Sequence, residues 1–165
     1  MADRSSIFMS MCYLLAESSE DPRTKIGAVI VGPKGDIKSS GWNGLPRGIR
    51  NTVSSRTITP NKQYWFVHAE LNAILNAGRN GISLKDCTIY CTAFPCHNCA
   101  QAIVQAGIVS VVYDLTLVGW EDSINAASQM FFESNITTSK YRGSYIDVKR
   151  HIGGKVETLN EKLNV

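Results

Sequence analysis

The fold of this chain is constrained most by short apolar runs that alternate along the sequence with segments of helical periodicity. Compact apolar stretches bounded by turn residues predict strands, and these lie at residues 25–31, 37–42, 88–92 and 108–113. Apolar residues at helical spacing predict helices, and these lie at residues 5–18, 64–78, 95–105 and 121–133. Strands that alternate with helices predict an α/β sandwich in which helices cover a mixed sheet.

The remaining segments carry weaker patterns. Residues 43–59 lose periodicity and are rich in Gly, Ser, Thr, Arg and Pro, which predicts a long functional loop. A last strand is predicted at residues 145–148, but residues 136–165 match no pattern that assigns them a role. The length of 165 residues, without a repeat or a linker, predicts one domain over residues 1–165.

Charge and cysteine content argue against several functional classes. Seventeen Lys and Arg against 14 Asp and Glu give a net charge of +3, which is small for a protein that binds long nucleic acids. No apolar run approaches the length of a membrane span, and the N-terminal stretch lacks the features of a secretory signal. We therefore expect a cytoplasmic protein with no membrane partner. Five cysteines in such a protein favour metal binding over a disulfide framework.

Two fragments carry residues suited to metal chemistry: HAE, which starts at His68, and PCHNC, which starts at Pro95. Cys96 and Cys99 are three positions apart at a predicted helix start, so they share one face, and the helix dipole there favours thiolates. Pro95 suits the first turn of this helix. With His68 as a third ligand, a tetrahedral Zn²⁺ ion keeps one position open for water, as catalytic zinc sites do.

Glu70 is the predicted proton shuttle beside this metal. Zinc lowers the pKa of its water to about 7 and so supplies hydroxide. In zinc nucleobase deaminases, whose signature joins an H-x-E and a P-C-x-x-C motif, this hydroxide attacks C4 of a cytosine ring. Glu70 takes the proton, delivers it to ring N3 and then protonates the leaving amine. Because positions i and i+2 of a regular helix do not face each other, His68 and Glu70 have to lie at the first turn. Together, H-x-E and P-C-x-x-C form the signature of zinc nucleobase deaminases.

Two other interpretations of these residues stay open. A closed structural zinc site needs a fourth ligand, and the remaining candidates are Cys12, Cys87, Cys91, His97 and His151. We expect Cys87 and Cys91 to be core residues, His97 to point away from the metal and His151 to be solvated in a polar tail. A redox pair formed by the sulfurs of the C-x-x-C motif is the second alternative.

The sequence resembles deoxycytidylate (dCMP) deaminases over residues 5–135. The segments that carry the resemblance are 21–28 (DPRTKIGA), 41–48 (GWNGLPRG), 67–74 (VHAELNAI) and 91–114 (CTAFPCHNCAQAIVQAGIVSVVYD). The resemblance implies a cytidine-deaminase-like three-layer α/β/α sandwich with a central mixed sheet of about five strands. It also implies one zinc ion per subunit, with His68, Cys96 and Cys99 as ligands and Glu70 as acid and base. The implied reaction is hydrolysis of dCMP to dUMP and ammonia, which supplies dUMP for thymidylate synthesis.

The resemblance further implies residues that bind the substrate and an allosteric effector. The substrate-binding candidates of this kind are Asn43, which is similar to the family's sugar-binding asparagine, Ala69 and Trp120. Independently of the resemblance, Arg23 and Lys25 are basic residues at the mouth of the first strand and are candidates for binding the substrate phosphate. The effector-binding candidates are Asn43, Gly44, Arg47, Gly48 and Arg50. Members of the family are often hexamers that dCTP activates and dTTP inhibits, with Mg²⁺ on the triphosphate.

The basic content of residues 45–66 supports an anionic ligand independently of any family. This segment contains no acid, and its basic residues are Arg47, Arg50, Arg56 and Lys62. Arg and Lys side chains in a loop bind phosphate through charge-assisted hydrogen bonds. A solvated basic loop that binds nothing fits the same pattern equally well.

Several alternatives to a dCMP deaminase stay open. Deoxycytidine, dCTP or a polynucleotide would undergo the same chemistry, and the number of substrate phosphates is not legible in the sequence. A polynucleotide deaminase would need a denser basic stripe with exposed aromatics. A non-enzymatic zinc-binding module would have no use for the Glu70 carboxylate.

Overall fold

A mixed sheet of five strands lies at the centre of the computed structural model, which describes residues 4–159. The elements in chain order are α1 (Arg4–Ala16), β1 (Gly27–Val31), β2 (Ile37–Trp42), a 3₁₀ helix (Ser54–Arg56), α2 (Lys62–Trp65), α3 (Ala69–Arg79), β3 (Thr88–Ala93), α4 (His97–Gln105), β4 (Ser110–Leu115), α5 (Glu121–Glu133), β5 (Thr137–Lys140), β6 (Val148–Ile152) and β7 (Lys155–Leu159). The order in the sheet is β2-β1-β3-β4-β5, and β6 with β7 forms a separate antiparallel hairpin.

Strand direction explains where the helices begin. β1 is antiparallel to both β2 and β3, whereas β3, β4 and β5 run parallel to one another. The carboxyl ends of β2, β3 and β4 therefore lie at the same edge of the sheet. β3 leads into α4, β4 leads into α5, and β2 leads through a long loop into α3. The three helices that follow these strands consequently all begin at that edge.

Helices α3, α4 and α5 cover one face of the sheet, and the apolar residues that α3 buries are all alanines, whereas α4 and α5 also bury Ile103 and Phe131. The buried alanines of this face are Ala69, Ala73, Ala77, Ala100 and Ala127. Gly41 in β2 allows α3 to approach the sheet, because a Cβ atom at this position would lie 2.5 Å from the Ala69 carbonyl oxygen and 2.5 Å from the Ala73 nitrogen. The start of α3 is therefore held at a fixed height above the sheet.

Helix α1 and the β6–β7 hairpin cover the opposite face. Met9, Cys12 and Tyr13 of α1 are fully buried, and the hairpin adds Val148 to the same cluster. Gly27 in β1 allows α1 to lie close, because a Cβ atom there would be 1.9 Å from the Cys12 carbonyl oxygen. The layers are thus helix and hairpin, sheet, and helices, which confirms the predicted three-layer sandwich with a five-stranded mixed sheet.

Three of the predicted elements differ from the structure. The helix predicted at 64–78 is interrupted at residues 66–68, because Gly44 and Val67 form an isolated antiparallel bridge that holds the chain extended. The helix predicted from Pro95 begins only at His97. The strand predicted at 145–148 is wrong apart from Val148, which begins β6. Residues 160–165, the end of the segment to which no role was assigned, lie outside the described residues. Within residues 4–159, no helix is long and apolar enough to cross a membrane.

Candidate functional site

Two helix starts converge at the edge of the sheet where the strands end. His68 directly precedes α3 with extended backbone angles (φ −69°, ψ 157°), and Cys96 directly precedes α4 in the same way (φ −71°, ψ 170°). Glu70 and Cys99 lie in the first turns of these two helices. In a regular helix, residues two positions apart point in different directions. His68 lies just before the helix with an extended backbone, so this restriction does not apply to His68 and Glu70.

The donor atoms of His68, Cys96 and Cys99 all lie within 4.8 Å of one another. The Nδ1 atom of His68 is 3.3 Å from the Cys96 sulfur and 3.6 Å from the Cys99 sulfur. One imidazole and two sulfurs are ligands that zinc prefers, and their separations are those of atoms around one small ion. The three residues therefore fit a zinc ion, and their number matches a catalytic site with one open position.

The electrostatics of the two sulfurs also favour a cation. The hydrogen bond from the Cys99 thiol lowers the pKa of Cys96 to about 4, while burial works against this shift and the contact with His68 reinforces it. The same pair raises the pKa of Cys99, since a second negative sulfur beside the first is unfavourable. A cation between the two sulfurs removes this repulsion and allows both to bind as thiolates.

Glu70 is a buried carboxyl group beside this donor set. Its Oε2 atom accepts a hydrogen bond from the Cys99 sulfur at 3.7 Å, and only 4% of the residue is exposed. Burial raises the pKa of Glu70 above its usual value, and the neighbouring His68 partly opposes this change. A carboxyl with a raised pKa can both accept and donate a proton near neutral pH.

The other cysteines and histidines lie apart from this group. Within residues 4–159, the three-residue group is the one set of His, Cys, Asp or Glu donors close enough to hold a metal. Cys12, Cys87 and Cys91 are buried and donate to backbone carbonyls, as expected of core residues. His97 contacts the Ser123 hydroxyl at 2.9 Å on the surface. His151 was expected to be solvated, but it lies in β6 with its Nε2 atom 2.6 Å from the Glu17 carboxylate.

A cavity of about 280 Å³ opens beside the donor set, near the lower end of the range for ligand pockets. Its lining is largely apolar, with Ile26, Phe66, Phe94, Leu117, Trp120 and Ile124 among the residues that form it. His68, Glu70 and Cys96 form part of the wall. The ring of Trp120 meets the His68 ring edge-on, with centroids 5.9 Å apart. The cavity therefore offers an apolar space for a flat ring next to a metal-binding group and a carboxyl.

The predicted substrate residues divide into two groups in the structure. Asn43, Ala69 and Trp120 line the cavity. Arg23 and Lys25 are absent from its described lining, and the Lys25 ammonium donates instead to the Glu17 carbonyl at 3.1 Å. The Asn43 side chain is held by backbone groups: its oxygen accepts from the Ile26 N–H at 2.8 Å and its nitrogen donates to the Thr24 carbonyl at 2.8 Å.

The predicted effector residues are likewise divided. Gly44 and Arg47 line a second cavity of about 260 Å³ beyond the end of β2, whereas Asn43 lines the first. Gly48 and Arg50 are exposed and are absent from both described linings. The Arg47 guanidinium donates to the Asn76 side-chain oxygen at 2.6 Å, which fixes it over α3.

Sequence reasoning missed most of the apolar wall and the part of the loop that faces it. Phe66 and Gln63 lie just before the HAE fragment, and the aromatic run YWF at 64–66 was a signal that could have been used. Thr59 and Pro60 also line the cavity, but nothing in their local sequence distinguishes them from the rest of the loop.

Comparison with known proteins places these features in context. A family model described as the cytidine and deoxycytidylate deaminase zinc-binding region matches residues 3–115. Human deoxycytidylate deaminase is 37% identical over 139 residues, which cover 81% of this chain and 77% of that protein. Deoxycytidylate deaminase of phage T4 is 32% identical over an alignment that covers 78% of this chain and 89% of that protein. The dCMP deaminase of cyanophage S-TIM5, solved in complex with dCMP and dUMP, matches with a TM-score of 0.68 and 28% identity, covering 82% of this chain and 94% of that one.

Proposed function

The chain belongs to the cytidine and deoxycytidylate deaminase family, and we propose that it hydrolyses dCMP to dUMP and ammonia. The observation that carries this proposal is the position of the buried Glu70 carboxyl, in contact with Cys99 and on the wall of an apolar cavity. A structural zinc site has no need of such a carboxyl. The relatives named deoxycytidylate deaminase and the structure solved with dCMP and dUMP support this choice of substrate.

The chemistry assigns a role to each residue. His68, Cys96 and Cys99 would hold a zinc ion, which when bound acts as a Lewis acid that activates water. Glu70 accepts a proton from the attacking water and passes it to N3 of the cytosine ring. Once oxygen has added at C4, the same carboxyl takes the remaining proton from that oxygen and donates it to the amine, which leaves as ammonia while the C4 carbonyl forms. One buried carboxyl can perform both steps because burial raises its pKa towards neutrality.

The apolar wall positions the base and excludes bulk water. Phe66 and Trp120 offer aromatic faces to a pyrimidine, and Leu117 and Ile124 complete the enclosure. Closing the cavity around the ring removes competing water and strengthens each charged contact within it. Asn43, an uncharged polar residue of the lining, is proposed to bind the sugar.

Regulation, assembly, location and metabolic role are further parts of the proposal. The second cavity, with Gly44 and Arg47 in its wall, is proposed to bind a deoxynucleoside triphosphate effector, with dCTP as activator and dTTP as inhibitor. Mg²⁺ on that triphosphate, a hexameric assembly, a cytoplasmic location and a role in supplying dUMP for thymidylate synthesis complete the proposal. Asn43, Gly48 and Arg50 stay predicted effector residues.

Replacement of Glu70 tests the proposed chemistry. Glu70→Gln keeps the shape of the side chain but removes its proton transfer, so turnover of dCMP is expected to fall by at least about 10²- to 10⁴-fold with zinc content and fold unchanged. Ammonia release and elemental analysis measure the two quantities. Cys99→Ser is the matched comparison, because it is expected to lose both zinc and activity. Retained activity in Glu70→Gln would remove Glu70 from its role.

A substrate panel separates dCMP from the alternatives. The wild-type protein is assayed with dCMP, deoxycytidine, dCTP and cytosine-containing oligonucleotides, with and without dCTP and dTTP as effectors. We expect dCMP to give the highest kcat/KM. A preference for an oligonucleotide would contradict the proposal that the substrate is a free nucleotide. The absence of ammonia from every zinc-loaded sample would contradict the proposed deaminase activity.

A further inference from the structure

The cavity wall carries few charges, and their distribution is informative. Glu70 and the Cys96 sulfur are acidic groups at the end where the proposed reaction takes place. Among the described residues that line the cavity, Lys62 is the one Lys or Arg side chain. A nucleotide phosphate is negatively charged, so a positively charged side chain on the wall is the group suited to bind it.

Lys62 is held in place on this wall. Its ammonium group is paired with the carboxylate of Asp21, and it lies over the Phe66 ring at 5.4 Å from the centroid. The Lys62 side chain is 26% exposed and that of Asp21 only 1% exposed, so the pair spans the boundary between interior and cavity. A fixed ammonium loses less side-chain entropy on binding a ligand than a free surface lysine does.

Asp21 does not exhaust the binding capacity of Lys62. The carboxylate also accepts from the backbone N–H groups of Arg23 at 2.9 Å and Thr24 at 3.2 Å, and from the Asn43 amide at 3.3 Å. Its negative charge is therefore shared among several donors. An ammonium group has three hydrogens, so two stay available after one binds Asp21.

The neighbours of Lys62 are also suited to a phosphorylated sugar. Asn43, Thr24 and Thr59 line the same cavity and are polar, unlike the apolar residues around the proposed base position. The basic residues expected to bind this phosphate, Arg23 and Lys25, are absent from the described lining. The Lys25 ammonium is already bonded to the Glu17 carbonyl.

We propose that Lys62, positioned by Asp21, binds the 5′-phosphate of the substrate and makes the site select a nucleoside monophosphate over the free nucleoside. This inference rests on the proposed deaminase function. The competing account is that the Lys62–Asp21 pair only fastens the loop before α3 to the segment after α1. A fastening role affects every substrate alike, whereas a phosphate contact affects only the phosphorylated one.

The test compares dCMP with deoxycytidine in Lys62→Gln. The Gln amide can still donate to Asp21, so the buried carboxylate keeps a partner and thermal unfolding verifies the fold. Loss of a charge-assisted bond predicts a fall in kcat/KM for dCMP of about 10- to 100-fold, mainly through KM. The value for deoxycytidine is expected to change by less than about threefold, since no contact to the nucleoside is removed. Where its turnover is too slow, the inhibition constant of deoxycytidine against dCMP replaces it.

Two further variants complete the design. Lys62→Arg keeps the charge and is expected to retain most of the preference for dCMP. Lys34→Gln removes an exposed lysine that does not line the cavity and is expected to change neither substrate. An equal loss for both substrates in Lys62→Gln would overturn the inference in favour of a fastening role, and an unchanged KM for dCMP would overturn it as well. Failure of the wild-type protein to release ammonia from dCMP would instead overturn the proposed function.

Discussion

The two faces of the central sheet are built differently. The face covered by α3, α4 and α5 is lined with alanines and carries the donor set and the main cavity at its edge. The face covered by α1 and the hairpin buries aromatic and polar groups, and the Tyr13 hydroxyl donates to the Asp114 carboxylate within it. Among the described residues, no buried side-chain polar atom lacks a partner.

The face covered by α3, α4 and α5 therefore carries the residues of the candidate site, whereas the opposite face contributes mainly to stability. Small side chains let helices approach the sheet closely, so their first turns can aim His68, Glu70 and Cys99 at one point. On the opposite face, the buried side-chain polar groups of the described residues all have hydrogen-bond partners. Substitutions on the two faces should therefore have different signatures, with activity and stability falling together on one face and stability alone on the other.

Gly27 and Gly41, at which a helix backbone lies close to the sheet, give the most direct test of this difference between the two faces. A Cβ atom at Gly41 meets the backbone of α3, and one at Gly27 meets the backbone of α1. Each Ala variant is expected to lose at least about 1–3 kcal/mol of unfolding free energy, because backbone has to move. Only Gly41→Ala should also lower kcat of the folded, zinc-loaded protein, since α3 carries Glu70. Urea unfolding and ammonia release measure the two effects, and equal kcat values in the two variants would contradict the comparison.

The buried tyrosine network gives the next largest effect. Burial raises the pKa of Tyr13, and the neighbouring Asp114 adds to this, so the phenol stays protonated and donates. Tyr13→Phe removes that donor from a buried carboxylate and is expected to cost about 1–3 kcal/mol with kcat unchanged. Tyr90→Phe is the control, because its hydroxyl makes only a 3.4 Å contact with Ser5 and should cost less than about 0.5 kcal/mol. A large loss of kcat in Tyr13→Phe would show that the faces are coupled.

The smallest expected effect lies within α3 itself. Gly78 has no atom within 4 Å of an added Cβ atom and needs no positive φ angle. Gly78→Ala is expected to raise the unfolding free energy by about 0.5–1 kcal/mol, because Ala favours the helix and restricts the unfolded chain. Thermal unfolding at fixed zinc concentration measures the change. A loss of stability would indicate that crowding on this face reaches the end of the helix.

Much of the fold was predictable because its signals are local. The run GAVIV of β1 is apolar throughout because this strand is covered on both faces and paired at both edges, and residues 121–133 have clear helical periodicity. A helix start near His68 followed from the HAE fragment, which has to lie at a first turn, but periodicity did not reveal the break. Its cause, a bridge between Gly44 and Val67 across the loop, is not encoded locally. The β6–β7 hairpin was missed because its strands are polar, although Gly153-Gly154 between them is a hairpin signal.

The candidate site was predictable to a different degree for each class of residue. The two sequence motifs identified His68, Glu70, Cys96 and Cys99 as site residues, and in the structure these residues lie close together. The direction of a basic side chain is not encoded locally, which is why Lys25 was expected at the cavity and instead bonds a carbonyl of the α1 end. The importance of residues 59–66 depends on how a long loop returns to the sheet, and periodicity carries no information about that path.

The position of the metal-binding residues has a thermodynamic consequence. His68 and Cys96 are 28 residues apart in the chain, and they meet only when two strands and two helices are assembled. An ion held by both ties distant parts of the polypeptide together like a removable cross-link, and unfolding releases it. The free energy of binding this ion therefore adds to the free energy of unfolding, so a chelator is expected to lower thermal stability as well as activity.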